Sequence, residues 1–197
     1  MENTFSIGGK NMKSVKEVLY TLKTFSELVV TLGYAAILQN DVELAMEATY
    51  IKDKIRALSY DMRISTIYAA KTARDSRVEI PQLASLLQVG VAAKEISDGI
   101  DDLVDIVIRG GGAHPVLRSI YGMEGFVIRI KIEKGSKAIG KNLKQLNIEK
   151  FEFTPLFIKK DTEYLLDQLD EIKLEEEDII LLKGVENKNE QAKALFK

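Results

Sequence analysis

Cysteine and tryptophan are absent from the 197 residues, proline occurs three times and histidine once. Without a thiol there is no disulfide framework, no thiolate zinc site and no cysteine nucleophile. A single histidine, His114, excludes histidine-rich metal sites and leaves little room for a Ser-His-Asp triad. A surplus of one charge is missing too. Twenty-eight Lys and Arg against thirty Asp and Glu leave −2 at pH 7, which gives no electrostatic case for nucleic acid or an anionic membrane as the main partner. The balance is also local, with 14 basic and 15 acidic residues on each side of Gly122. No run approaches the roughly 18 consecutive apolar residues of a membrane span. The opening Met1-Glu2-Asn3-Thr4-Phe5-Ser6-Ile7 has neither the basic nor the apolar part of a signal peptide. The expectation is a cytoplasmic protein with no direct membrane insertion. The 46% hydrophobic and 29% charged residues that are present argue for a folded chain, not a disordered one.

The first half has helical rhythm. Val15, Val18, Leu22, Phe25, Val29, Leu32 and Ala36 alternate steps of three and four, the seam of a helix packed at a small crossing angle. After Gln39-Asn40-Asp41 the rhythm returns in Leu44, Ala48, Ile51, Ile55, Leu58, Met62, Ser65 and Ala69. Asp41 is a good N-cap, Glu43 suits the dipole of the first turn, and the helix is expected to reach Arg74. Pro81 is read as the start of a third helix with Ile96, Ile100, Leu103 and Val107 as its buried stripe. Gly110-Gly111-Gly112 ends it. Residues 1–112 therefore read as an antiparallel three-helix bundle.

The second half changes period. From Phe126 to Glu133 the chain alternates, with Phe126, Ile128, Ile130 and Ile132 on one face of a strand. Gly135-Ser136 turns the chain, Gly140 to Leu146 forms two helical turns, and Phe153 to Lys159 is a second strand. Lys160-Asp161-Thr162 turns into a third strand at Tyr164-Leu165-Leu166, Ile179 to Lys183 is a fourth, and Glu190 to Phe196 is a terminal helix. Residues 125–197 make a small domain, and 113–124 a linker whose short helix, Pro115 to Tyr121, starts on proline. The fold class is α+β: a three-helix bundle followed by a small βα-sandwich. A domain of that size sits near the lower limit for a stable single core, so pairing with a second copy would help it.

Gly135-Ser136-Lys137-Ala138-Ile139-Gly140-Lys141-Asn142-Leu143-Lys144-Gln145-Leu146 resembles the "GS-x-x-(I/V)-G-(K/R)-x-L-x-x-L" opening of the TrkA C-terminal domain. Leu174-Glu175-Glu176-Glu177-Asp178-Ile179-Ile180-Leu181-Leu182-Lys183-Gly184 is similar to its closing strand, with Glu177 where that family usually has glycine. The helical half is similar to PhoU-type domains, of which this chain carries one three-helix repeat. Together these resemble a group of small proteins of potassium-transport type. The resemblance implies a non-catalytic regulatory or sensor subunit of a membrane cation channel or transporter, built as a homodimer. It also implies that the TrkA C-terminal-like domain binds a small ligand such as a cyclic dinucleotide. NAD or ATP binding is not implied, because a bundle stands where channel regulators carry a Rossmann domain and no G-x-G-x-x-G is present. The alternative is a PhoU-like metal-binding or phosphate-signalling adaptor whose C-terminal domain only dimerises.

Two groups of residues are candidates for a site. Asp98, Asp102 and Asp105 fall within about 60° of one another around a helix, where carboxylates chelate a divalent metal or form a solvated stripe. In the second domain, the helix start near Lys141 offers free N–H groups to an anion. Asn142 adds an amide, Ile139, Pro155 and Phe157 an apolar or aromatic surface, and Lys137 and Lys144 positive charge. Each of these has a plainer structural role open to it as core or surface. Ser6-Ile7-Gly8-Gly9-Lys10 lacks the spacing of a phosphate loop. No nucleophile–base pair stands in a sequence context that suggests an enzyme.

Overall fold

The computed structural model describes residues 6–7, 10–11, 14–121 and 126–197. Gly8 and Gly9, the end of the linker at 122–124, and residue 125 lie outside them. The protein is α+β and divides into two compact units, Met1–Gly112 and Ala113–Lys197.

In the first unit, β1 (Ser6–Ile7) pairs antiparallel with β2 (Lys10–Asn11), and three long helices follow: α1 (Val15–Gln39), α2 (Val42–Lys71) and α3 (Ser76–Ile108). Each of the three packs on the other two. Ser14 opens α1 with a capping box: its Oγ accepts the Glu17 N–H at 3.2 Å and its own N–H donates to the Glu17 carboxylate at 2.7 Å. Val18, Leu22, Phe25, Val29, Leu32 and Ala36 are all buried. A stretch of α1 is long and apolar enough, by length and composition, to cross a membrane, and half of it is buried inside the bundle as for any core helix. Asn40, in the left-handed conformation at φ 53°, stops the helix. Asp41 caps α2 through the N–H groups of Glu43 and Leu44 at 2.9 and 3.1 Å.

Helix α2 ends at Lys71, three residues before the expected Arg74, and α3 begins at Ser76, not at Pro81. Asp75 is the N-cap and accepts the Arg77 N–H at 3.1 Å, while Glu79 accepts the N–H groups of Arg74 and Asp75. Pro81 thus sits inside the helix, at the cost of one backbone bond. At the far end a Schellman pair closes α3: Gly110 N–H to Val107 O at 2.9 Å and Gly111 N–H to Ile106 O at 2.8 Å. Only glycine suits Gly111, since a Cβ there would lie 2.8 Å from the Ile106 carbonyl oxygen.

In the second unit α4 (Pro115–Tyr121) precedes a four-stranded antiparallel sheet, spatial order β3-β6-β4-β5, formed by β3 (Phe126–Lys131), β4 (Thr154–Lys160), β5 (Glu163–Leu165) and β6 (Ile179–Gly184). Helices α5 (Leu143–Leu146) and α6 (Asn189–Ala194) complete it. One face of the sheet carries the main core. Ile128, Ile130, Ile132, Ile158, Ile180 and Leu182 pack with Leu143, Leu146, Phe153, Leu174, Ala192 and Phe196. The alternation in β3 puts Ile128 and Ile130 there, with Ile132 just beyond the strand, as their spacing predicts.

Before β6, Glu177 adopts φ +73°, the left-handed region that costs an L-residue about 1–2 kcal/mol. Its N–H donates to Ile132 O at 2.9 Å, and its carboxylate pairs with Lys131 at 2.5 Å on the surface. Glycine would remove the strain, giving back the surface pair and some chain entropy. Glu177→Gly is therefore expected to raise stability by about 0.5 kcal/mol in urea unfolding. A loss above about 1 kcal/mol would show that the ion pair dominates.

Candidate functional site

Three of the aspartates of α3 are ion-paired. Asp98 is held by Arg56 at 3.0 Å and by Lys94, and Asp101 by Lys52 at 2.8 Å. Lys52 and Arg56 are one turn apart on α2, so these pairs latch α2 to α3. Asp105 pairs with Arg109 at 2.8 Å, and Asp102 is exposed. Hydrogen bonds from Lys94 and then Arg56 hold the Asp98 carboxyl below its usual pKa, against an opposing effect of desolvation. Asp98 therefore supports the fold above the ordinary carboxylate pKa, and that support is lost as pH falls through its lowered value. Asp98, Asp102 and Asp105 do not converge. Among the described residues no group of three His, Asp or Glu side chains is placed to hold a metal ion.

Of the expected buried stripe of α3, Ile100 and Val107 are buried, while Ile96 and Leu103 give way to their neighbours Ser97 and Val104. Gly90, Ala93, Ser97, Ile100, Val104 and Val107 face the other helices. Small residues bring the helices close here: Ser59 Oγ reaches Gly90 O at 2.8 Å, and a Cβ on Gly33 would lie 2.3 Å from Ile100. Ile96, expected inside, is 47% exposed. It belongs to a second stripe one residue behind the first: Val89, Ala92, Ile96, Gly99, Leu103 and Ile106. This stripe keeps the same three-four spacing, and all of it except half-buried Leu103 is exposed. Two adjacent apolar stripes on one helix are what a helix packed on two sides carries.

The expected ligand site in the second unit is not assembled as one surface. Helix α5 starts at Leu143, later than Lys141, and has four residues. Asn142 is its N-cap, with Oδ1 accepting the Gln145 N–H at 2.9 Å and its own N–H donating to Gln145 Oε1 at 3.1 Å. The end expected to bind an anion is thus capped by the chain itself. Ile139 is 40% exposed in the preceding turn, and Lys141 is exposed. Pro155 and Phe157, two apart in β4, should share a face, but a register shift between them separates them. Pro155 pairs with Leu182, on the core face, and Phe157 with Leu181, on the other. Phe157 is fully buried, its ring centroid 4.9 Å from that of Tyr164 in an edge contact. The shift leaves no mark in the strand's apolar pattern.

The sole histidine is exposed, and its Nδ1 accepts the Val116 N–H at 3.3 Å, which caps α4. That is a local structural role.

No protein-family model matches the chain. No curated protein matches it either. Among solved structures it is similar to S. agalactiae BusR in complex with its busAB-promotor DNA, at 13% identity over 87% of this chain and 95% of that one, with a TM-score of 0.33. A likeness that loose bears on neither fold nor partner.

Proposed function

We propose that this chain is a non-catalytic, cytoplasmic regulatory or sensor subunit for potassium or other cation transport. It works as a homodimer joined through both the PhoU-like bundle and the TrkA C-terminal-like unit, and the latter senses a small ligand for a membrane channel or transporter. One observation carries the reading. The two stretches that resemble the TrkA C-terminal domain, some thirty residues apart, are hydrogen-bonded to each other: Gly140 N–H to Leu174 O and Leu174 N–H to Lys141 O, both at 2.8 Å. Glu177 adds support, because it takes positive φ at the position the family usually fills with glycine. The exposed stripe of α3 supports the dimer, since a single three-helix repeat has a face to spare.

A thermal-shift screen tests this reading by mass action. One plate carries cyclic dinucleotides and nucleotides, the other Mn, Fe, Zn, Mg and Ca. A rise in melting temperature with a nucleotide and none with metals is the expected result. A rise with metals alone would favour the metal-binding adaptor, and no rise on either plate would remove the sensor.

A further inference from the structure

We infer that a cationic cavity in the second unit, distinct from the residues around Asn142, binds a small ligand bearing several phosphate groups. The cavity holds about 460 Å³, within the range of about 300–1,000 Å³ typical of small-molecule sites. Arg129, Lys131, Lys134, Lys193 and Lys197 line it, with Glu133 the one acidic side chain among the lining residues. These five cations come from three separate parts of the chain: β3, the turn that follows it, and the segment running from α6 to Lys197. No single helix face explains their meeting; the tertiary fold brings them together.

The walls are held in place before any ligand arrives. Ser136 Oγ donates to Phe196 O at 2.5 Å and accepts the Ala138 N–H at 3.1 Å, and the Lys137 N–H reaches Lys197 O at 3.3 Å. These bonds tie the turn to the end of the chain, so both banks of lysines keep their spacing. Such preorganisation lowers the ordering cost of binding.

Charge decides the ligand class. Lys131 spends part of its charge on Glu177, and Lys193 on Glu190 at 3.6 Å. Lys134 and Lys197 have no ion pair among the described residues. Like charges gathered around one concavity repel, and a single ligand with several negative charges relieves that repulsion. Ile130 and Phe196 border the cavity and are 7% and 3% exposed, and the lining offers a ligand apolar as well as polar surface. The charged part of recognition falls to phosphate groups, met by lysine ammonium and arginine guanidinium donors. The inference does not rest on the transport reading, because it needs only the geometry of this unit.

Calorimetry on the full chain with inorganic tripolyphosphate and with ATP tests it. Saturable binding of one ligand per chain, weakening steeply with added salt, is the expected result. The double variant Lys134→Glu/Lys197→Glu should lose at least tenfold in affinity with an unchanged melting temperature, because both side chains are exposed. The control Lys150→Glu/Lys173→Glu makes the same charge change on exposed lysines elsewhere in the unit and should bind like the parent. Equal loss in both variants would mean diffuse attraction and overturn the site, as would no heat with the parent protein. If tripolyphosphate binds while cyclic dinucleotides do not, the cavity stands and the cyclic-dinucleotide expectation falls.

Discussion

Val89→Lys together with Ile96→Lys is expected to turn a dimer into a monomer. Both residues lie on the exposed stripe of α3, 44% and 47% accessible, seven positions apart and hence on the same side of the helix. Between and beyond them stand Ala92 and Gly99, and nothing lies within 4 Å of a Cβ built on Gly99. Such a row lets a second helix approach closely, and a second copy of the same stripe supplies a matching row across a two-fold axis. In the proposed dimer, two lysines there place charges in a contact that excludes water. The dissociation constant should rise by about a hundredfold or more, roughly 3 kcal/mol. Each subunit's own fold should change little, because neither side chain belongs to the face packed on α1 and α2. Light scattering over a dilution series measures the first effect and circular dichroism the second. A parent protein that stays monomeric at micromolar concentration would sink the dimer, and so would a double variant that stays dimeric.

The same stripe illustrates where reading the sequence succeeds and where it stops. In α1 and α2 the three-four row is buried nearly throughout, although Leu28, Ala35 and Ile37 of α1 are buried beside it. In α3 two rows run side by side, and Ile96 looks as good a core residue as Ile100. Bulk misleads there, because the positions that actually pack are the small Gly90, Ala93 and Ser97, which earn their place by letting backbones approach. Pro81 misleads in a similar way. Proline is a strong start signal, but Asp75 with Glu79 completes a cap five residues earlier and the helix tolerates the missing N–H. In the second unit the strands follow from alternation and turn residues. The register shift between Pro155 and Phe157 does not, since a bulge depends on how β4 meets β6. The cationic cavity was out of reach for the same reason: Arg129 and Lys197 are neighbours only after folding. The acidic row of α3 carries the spacing of a metal motif, yet Asp98 and Asp101 are held by Arg56 and Lys52 on another helix.

Asp178→Ala is expected to destabilise the second unit by about 2–3 kcal/mol, a drop of roughly 10–20 °C in its melting transition. The carboxylate is 5% exposed and does two things. It accepts the Glu175 N–H at 2.8 Å, closing the turn that carries Glu177, and it binds Lys160 at 3.2 Å. The backbone on either side, through Ile132 N–H to Asp178 O at 2.8 Å, joins that turn to the end of β3. Alanine leaves the Glu175 N–H unpaired and Lys160 with only the exposed Glu175 carboxylate at 3.1 Å. That remaining partner, and the access of Lys160 to water, keep the cost below the 3–5 kcal/mol or so of a fully buried broken pair. Asp178→Asn keeps an acceptor for Glu175 and should fall between alanine and the parent. The pH dependence separates the two roles. Burial by itself would lower the Lys160 pKa, but its bonds to Glu175 and Asp178 outweigh this and hold it above the ordinary lysine value of 10.5. A raised folded value means that the ion pair contributes in full below the ordinary lysine pKa and is lost only as pH climbs through the higher folded one. The cost of Asp178→Ala should therefore stay constant between pH 7 and about 10 and shrink only in more alkaline solution. Urea unfolding of parent and variants across that range is the measurement. A cost under about 1 kcal/mol, or one that fades between pH 7 and 9, would show that the Lys160–Asp178 pair does not hold this turn.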